Sequence, residues 1–207
     1  MNCVLAIETS TAQGSIALQR GAEVLFTASF LSARTHNSVI FGPLEEALKL
    51  AGGLDCIVVG TGPGSYTGVR VGLAVAMGVG MSRKVPVIGW TSFAALPSPP
   101  LRYAVVGDAR REQWHFTEMV EGEMVAAPVL GDSAAIGLLC TQCLLPLYTL
   151  DARSPDFCEA VKVIPEARAL AALAQRLTPE DVAARAQVCA EPIYLSAPFI
   201  TTPRSKA

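Results

Sequence analysis

Charged side chains are scarce in this sequence. They make up 16% of the 207 residues, against 51% hydrophobic, where a soluble domain ordinarily carries about 25% charge. A chain this poor in charge has little with which to solvate its whole surface, so part of its apolar surface is expected to meet a partner. Basic runs are missing as well. With 16 basic and 18 acidic residues the formal net charge is -2, which argues against a nucleic-acid surface on this chain alone. No apolar window reaches the roughly 20 residues that a spanning helix needs, and the longest charge-free helical candidate, residues 71–82, is too short. The opening "MNCVLAIETST" has no basic stretch and carries Glu8 early, unlike a secretory signal. The expectation is a soluble cytoplasmic protein with no membrane segment.

Histidine is scarcer still. His36 and His115 are the whole supply, so a two-histidine metal site would need tertiary coincidence. His36, between a turn and a helix, reads as a cap or surface residue. The six cysteines, Cys3, Cys56, Cys140, Cys143, Cys158 and Cys189, are expected to be reduced in a chain without a secretory signal. Cys3 and Cys56 lie in strand-like runs and read as small core residues. Cys140 and Cys143 form "CTQC", but a zinc site takes about four ligands and no second CxxC or CxxH follows. The pair reads as a helix end with two half-buried small side chains.

What is present is order. "CVLAIETS" is a buried strand ending in a polar turn, and "GSIALQR" and "EVLFTASF" continue it as a meander through "GAE". A helix is predicted over residues 38–51, with apolar positions at helical spacing and Gly52 and Gly53 behind it. "DCIVVGTG" is a buried strand, residues 66–83 a second helix, and "VPVIGW" a further strand. Strand, helix, strand implies a right-handed parallel crossover and a mixed sheet. "LPSPP" at 96–100 is a linker signal. Beyond it the meander begins again in "RYAVVGDARREQWHF", and helices are expected near 134–140 and 165–176 with "LLPLYTL" as a strand between them. This is a duplicated α/β fold, divided as lobes 1–98 and 99–207, the second shorter. Asp108, in "GDARRE", reads as a strand-end residue ordering a turn with Arg110 or Arg111.

Two stretches invite a phosphate reading. "AIETSTAQGSIAL" is a strand, an acid with hydroxyls, and a tight turn, and "GTGPGSYTG" is a glycine-rich turn opening a helix. Glu8, Ser10, Gly62, Gly64, Ser65, Thr67 and Gly68 would line such a site, or what remains of one. Each signal alone is weak, because glycine turns after strands are common.

Taken in order, "LAIETST…GSIAL", "HNSVIFGPLEEAL", "VGTGPGSYTGVRVGL", "VPVIGWTSFAAL", "GDARREQWHF" and "EPIYL" resemble the bacterial TsaB family, also called YeaZ. The resemblance implies a two-lobed actin-like ATPase (ribonuclease H-like) fold and a part in making threonylcarbamoyladenosine in tRNA. It also implies a TsaD-like catalytic paralogue as partner, with a TsaE-like ATPase joining and tRNA met only through the complex. TsaD-like proteins place a His-x-x-x-His metal pair after the strand matching "VPVIGW", where this chain reads "TSFAAL". They also carry further acids after the "ETS" turn, where this chain has Thr11, Ala12 and Gln13. A catalytic paralogue and a metallopeptidase are both disfavoured. The expectation is a non-catalytic partner subunit with no metal or cofactor of its own. The competing reading is an ATP-binding phosphotransferase of the actin-like fold. Weak ATP or ADP binding at the partner junction, and homodimerisation of the isolated chain, stay open.

The second helix is apolar on every side. Gly72, Ala76 and Gly80 recur at i, i+4 and i+8, a seam that admits a close helix. With Val69, Leu73 and Met77 beside it, and Val39, Leu44 and Leu48 on the first helix, this seam is expected to be the face offered to the partner.

Overall fold

The structure, a computed structural model, describes residues 3–31 and 37–195. The fold opens with β1 (Cys3–Glu8), buried at every position. Alternate side chains of a strand point to opposite faces. Cys3, Leu5 and Ile7 therefore enter one apolar cluster, and Val4 and Ala6 the other. A strand covered on both sides reads as a continuous apolar run. β2 (Gln13–Arg20) and β3 (Glu23–Leu31) complete an antiparallel meander. Gly21 turns it at φ 57°, a left-handed conformation that glycine adopts without strain.

A single 3-10 turn, Asn37–Ile40, leads into α1 (Phe41–Ala51). Then come β4 (Cys56–Gly60), α2 (Tyr66–Arg83) and β5 (Val87–Trp90). β4 pairs with β1 and β5 with β4, both parallel, giving the order β3-β2-β1-β4-β5. The helices α1 and α2 cover one face of this sheet.

The second half repeats the scheme with shorter pieces. β6 (Arg102–Arg110) and β7 (Gln113–Val120) form an antiparallel pair, extended by β8 (Glu123–Met124) and β9 (Val129–Gly131). After α3 (Ser133–Gln142), β10 (Leu147–Thr149) pairs parallel to β6 and β11 (Val161–Lys162) parallel to β10. Asp108 orders the β6–β7 turn: its Oδ1 accepts from Arg110 N at 2.7 Å and its Oδ2 lies 3.6 Å from the Arg110 guanidinium.

The chain then returns to the first sheet. α4 (Ala167–Ala174) lies on β1, β2 and β4, and α5 (Pro179–Ala186) on β5. The resulting core joins Val4, Val58 and Phe93 from the first half to Tyr103, Met119 and Leu170 from the second. Buried hydrogen bonds cross the same seam. Tyr103 Oη donates to Phe93 O (2.9 Å), Trp90 Nε1 to Gly122 O (2.8 Å) and Ala167 N to Ser15 Oγ (2.9 Å). The two sheets thus share one core, and residues beyond 98 supply the second cover of the first sheet.

The helix α5 goes beyond the sequence reading, although its start was written in "TPED". Thr178 and Asp181 form a reciprocal capping box, with proline at the first helical position. All six cysteines are free. Cys3 and Cys56 are buried strand residues, while Cys140 sits in the last turn of α3 and Cys143 caps it. Among the described residues no helix is long and apolar enough to cross a membrane.

Candidate functional site

The structure brings the two glycine-rich signals together at the carboxyl ends of β1 and β4. Ser65 caps α2, accepting from Gly68 N at 3.2 Å. The loop before it is closed on the chain itself. Ser65 N donates to Ser10 O at 2.6 Å, and Thr9 Oγ1 donates to Gly68 O at 2.8 Å. A methyl group added at Gly64 would collide with Ser10 O, and one at Gly68 with Thr9 O. These glycines admit the backbone of the β1–β2 turn, where a phosphate loop would admit oxygens of a ligand. Gly62, at φ 83°, is pinned from the other side: its N–H donates to Ser92 Oγ at 3.0 Å, and Ser92 N donates to its carbonyl at 2.8 Å. Thr67 projects from the first turn of α2 and is exposed.

Glu8 is fully buried at the floor of this junction. Its Oε1 accepts from Ser10 N at 2.6 Å. Its Oε2 lies against the Gly60 backbone and has no described partner; neither has the buried Ser10 Oγ. Burial pushes the Glu8 carboxyl above its ordinary range, and the hydrogen bond from Ser10 N opposes that only in part. A carboxyl held toward its neutral form serves poorly as an anchor for a metal–phosphate group. The end of the described chain adds a cover. Ile193 N donates to Thr61 O at 2.8 Å, and the Tyr194 ring stacks on Tyr66 at 5.4 Å.

The helical face comes out differently from expectation. Gly72, Ala76 and Gly80 form a seam, but the seam is filled by this chain's own sheet. A methyl group at Gly72 would strike Thr9 Oγ1, and one at Gly80 the Val87 side chain. Val69, Leu73, Ala76 and Leu44 belong to the core under α1 and α2. These residues cannot be direct partner contacts. The reason is proximity: α2 crosses close over β1 and β5, and only small residues fit there. Of the nine predicted positions, Val39, Leu48 and Met77 retain exposure.

A second seam runs along the outside of α2. Ala74, Gly78 and Ser82 also recur at i, i+4 and i+8 and are exposed, with nothing within 4 Å of a methyl group placed on Gly78. Met81, 83% exposed, lies beside them, with half-buried Val71 and Val75. Phe41, at the start of α1, is 56% exposed, and Leu50 at its end 52%. A groove between the helices is lined by Phe41, Leu48, Lys49 and Arg83. The outer surface of α2 is therefore apolar, carrying charge only near its ends at Arg70 and Arg83.

The described residues hold no group of three or more histidines, cysteines or acids placed to bind a metal. His36 lies outside the described residues. His115 is buried on β7 and stacked on Phe93 at 5.1 Å. Burial lowers its pKa to about 4, against a weaker upward pull from Asp108.

Two sheets that each run from an antiparallel meander into parallel strands, and share one core, define a two-lobed α/β protein of the actin-like, ribonuclease H-like class. Residues 30–132 match the TsaD family, described as tRNA N6-adenosine threonylcarbamoyltransferase. An uncharacterized protein of Mycobacterium tuberculosis is 31% identical over 144 residues, covering 66% of this chain and 68% of that protein. The tRNA threonylcarbamoyladenosine biosynthesis protein TsaB of Haemophilus influenzae is 34% identical over 128 residues, 56% of this chain and 53% of that protein. YeaZ from Pseudomonas aeruginosa superposes with a TM-score of 0.63 at 22% identity, over 94% of this chain and all of that one. The chain belongs to the TsaB (YeaZ) family.

Proposed function

We propose that this chain takes part in tRNA threonylcarbamoyladenosine biosynthesis as a non-catalytic subunit. In this reading it docks a TsaD-like catalytic paralogue through the outer faces of α1 and α2. The observation that carries the reading is the outer seam of α2, where Ala74 and Gly78 leave room for a partner helix beside exposed Met81. A helix that served only its own sheet would need one apolar stripe and would carry polar residues opposite. This one is apolar on both sides. A TsaE-like ATPase would join the assembled pair, and tRNA would be met through the complex, in keeping with the net charge of -2. The phosphotransferase alternative loses ground at the junction of Ser10 with Gly64 and Ser65, since the Ser65 N–H donates to Ser10 O there and the N–H groups of Gly62 and Gly68 donate to the hydroxyls of Ser92 and Ser65.

The test is titration of the purified chain with the TsaD-like protein of the same organism, by calorimetry. A one-to-one complex is expected, and Met81→Asp should weaken it at least tenfold by burying a charge, an effect of more than about 1.4 kcal/mol. Unchanged affinity of a normally folded Met81→Asp chain would refute docking through this face.

A further inference from the structure

The second half of the chain gathers three of its free thiols in one cluster. Cys140 is buried in the last turn of α3, and Cys143, which caps that helix, is half-buried beside it. Cys158 packs against the same cluster from the connection between β10 and β11. Gly137 lets that connection come close, since a methyl group placed on it would lie 3.4 Å from the Phe157 ring. Cys140 stands one helical turn beyond Gly137 on the same face, and Cys158 directly follows Phe157. The thiols accordingly perturb one another. Burial pushes Cys140 up to about 12, with Cys158 and then Cys143 adding to the rise, while Cys158 is raised by burial and drawn back by Cys140. Access differs between the two: Cys140 is 5% exposed, whereas Cys158 is only half-buried.

We infer that Cys158 and Cys140 form an oxidation site that closes to a disulfide when the chain meets hydrogen peroxide. Thiol oxidation follows exposure, so Cys158 reacts first. Its sulfur attacks the peroxide, the O–O bond breaks, and a sulfenic acid forms with release of one water. The Cys140 sulfur then attacks the Cys158 sulfur. The S–S bond forms, the S–O bond breaks, and a second water leaves. In sum the two thiols give up two electrons and two protons, and one hydrogen peroxide becomes two waters. A buried thiol is seldom ionised, but the thiolate of a high-pKa thiol is the stronger nucleophile. Its place beside Cys158 also replaces a bimolecular encounter with an intramolecular one. The bond would tie the end of α3 to the segment ahead of β11 and constrain the chain between them.

The test treats the full chain with hydrogen peroxide, blocks the remaining thiols, and maps the digested peptides by mass spectrometry before and after reduction. The expected product is a cross-link of Cys140 to Cys158 within one chain, released by dithiothreitol. Cys143→Ser should leave that cross-link in place, and Cys158→Ser should remove it. Cys140→Ser should stop the sequence at the sulfenic acid, so that dimedone labels Cys158. Two results on the unaltered chain would overturn the inference without depending on any variant folding. One is a bridge from Cys140 to Cys143 in place of Cys158. The other is consumption of the exposed Cys189 with Cys140 and Cys158 still unbridged, which would show that oxidant reached the chain and the pair did not close.

Discussion

Substituting Gly72 and Gly78 separately tests which way α2 faces. Leucine at Gly72 must displace Thr9 Oγ1, which donates to Gly68 O at 2.8 Å. Overpacking of a close contact costs about 1–3 kcal/mol, and loss of the hydrogen bond about 1 kcal/mol more. The better helix propensity of leucine returns about 0.8 kcal/mol. The net loss is about 1–3 kcal/mol, which for a chain of this length lowers Tm by roughly 2–12 °C. Leucine at Gly78 meets nothing within 4 Å, so propensity alone should act and raise Tm by roughly 2–3 °C. Its effect should fall on partner binding, where filling the outer seam should cost at least about 1 kcal/mol, or fivefold in affinity. Circular dichroism melting beside a calorimetric titration reads both. A Gly72→Leu chain that melts like the unaltered protein would refute the inward orientation of the first seam. A Gly78→Leu chain that binds normally would refute the use of the second.

Three further outcomes follow from the buried groups and the closed loop. The raised pKa of Glu8 means that its contribution to stability is largest below the unfolded value of about 4.5 and is lost as pH rises through the folded value; Glu8→Gln should therefore gain stability relative to the unaltered chain as pH rises from 4 to 8, and a constant difference across that range would contradict the buried acid. His115 has the opposite sign: with a folded pKa of about 4, the chain should lose up to about 3 kcal/mol of stability as pH falls from 6.5 to 4, and His115→Gln should flatten that slope in denaturant titrations. Because the glycine loop is closed on Ser10 and Thr9, about 5 mM Mg-ATP should leave Tm of the isolated chain within about 1 °C, whereas a site with a Kd near 50 μM would raise stability by about 2.7 kcal/mol.

Much of the first half was legible because local signals and tertiary demands agree there. The doubly buried strand β1, the turn at Gly21, the stop at Gly52 and the full span of α2 all follow from hydrophobic period and glycine placement. The orientation of α2 was not legible. Gly72, Ala76 and Gly80 make one small-residue seam, and Ala74, Gly78 and Ser82 make another on the other side. Sequence gives the period of such a pattern but not its phase, which is set by Thr9 and Val87 arriving from distant strands. The glycine loop misled for a related reason. A glycine that admits a phosphate oxygen and one that admits the Ser10 carbonyl look the same in one dimension. The return of α4 and α5 to the first sheet was hidden by distance, since Ala167 and Ser15 meet across 152 positions. The sequence divides at the proline linker, while the core does not.

The central claim is that this chain acts on tRNA only by completing another subunit. It is tested most directly by reconstituting threonylcarbamoyl transfer to tRNA from purified components of the same organism, with the TsaD-like protein, the TsaE-like ATPase and the activated donor held constant. The chain alone should give no transfer, and its omission should abolish or greatly slow modification by the others. Adding it back should restore the rate, saturating at one equivalent per TsaD-like subunit. Transfer by the chain alone, or a full rate without it, would contradict the account.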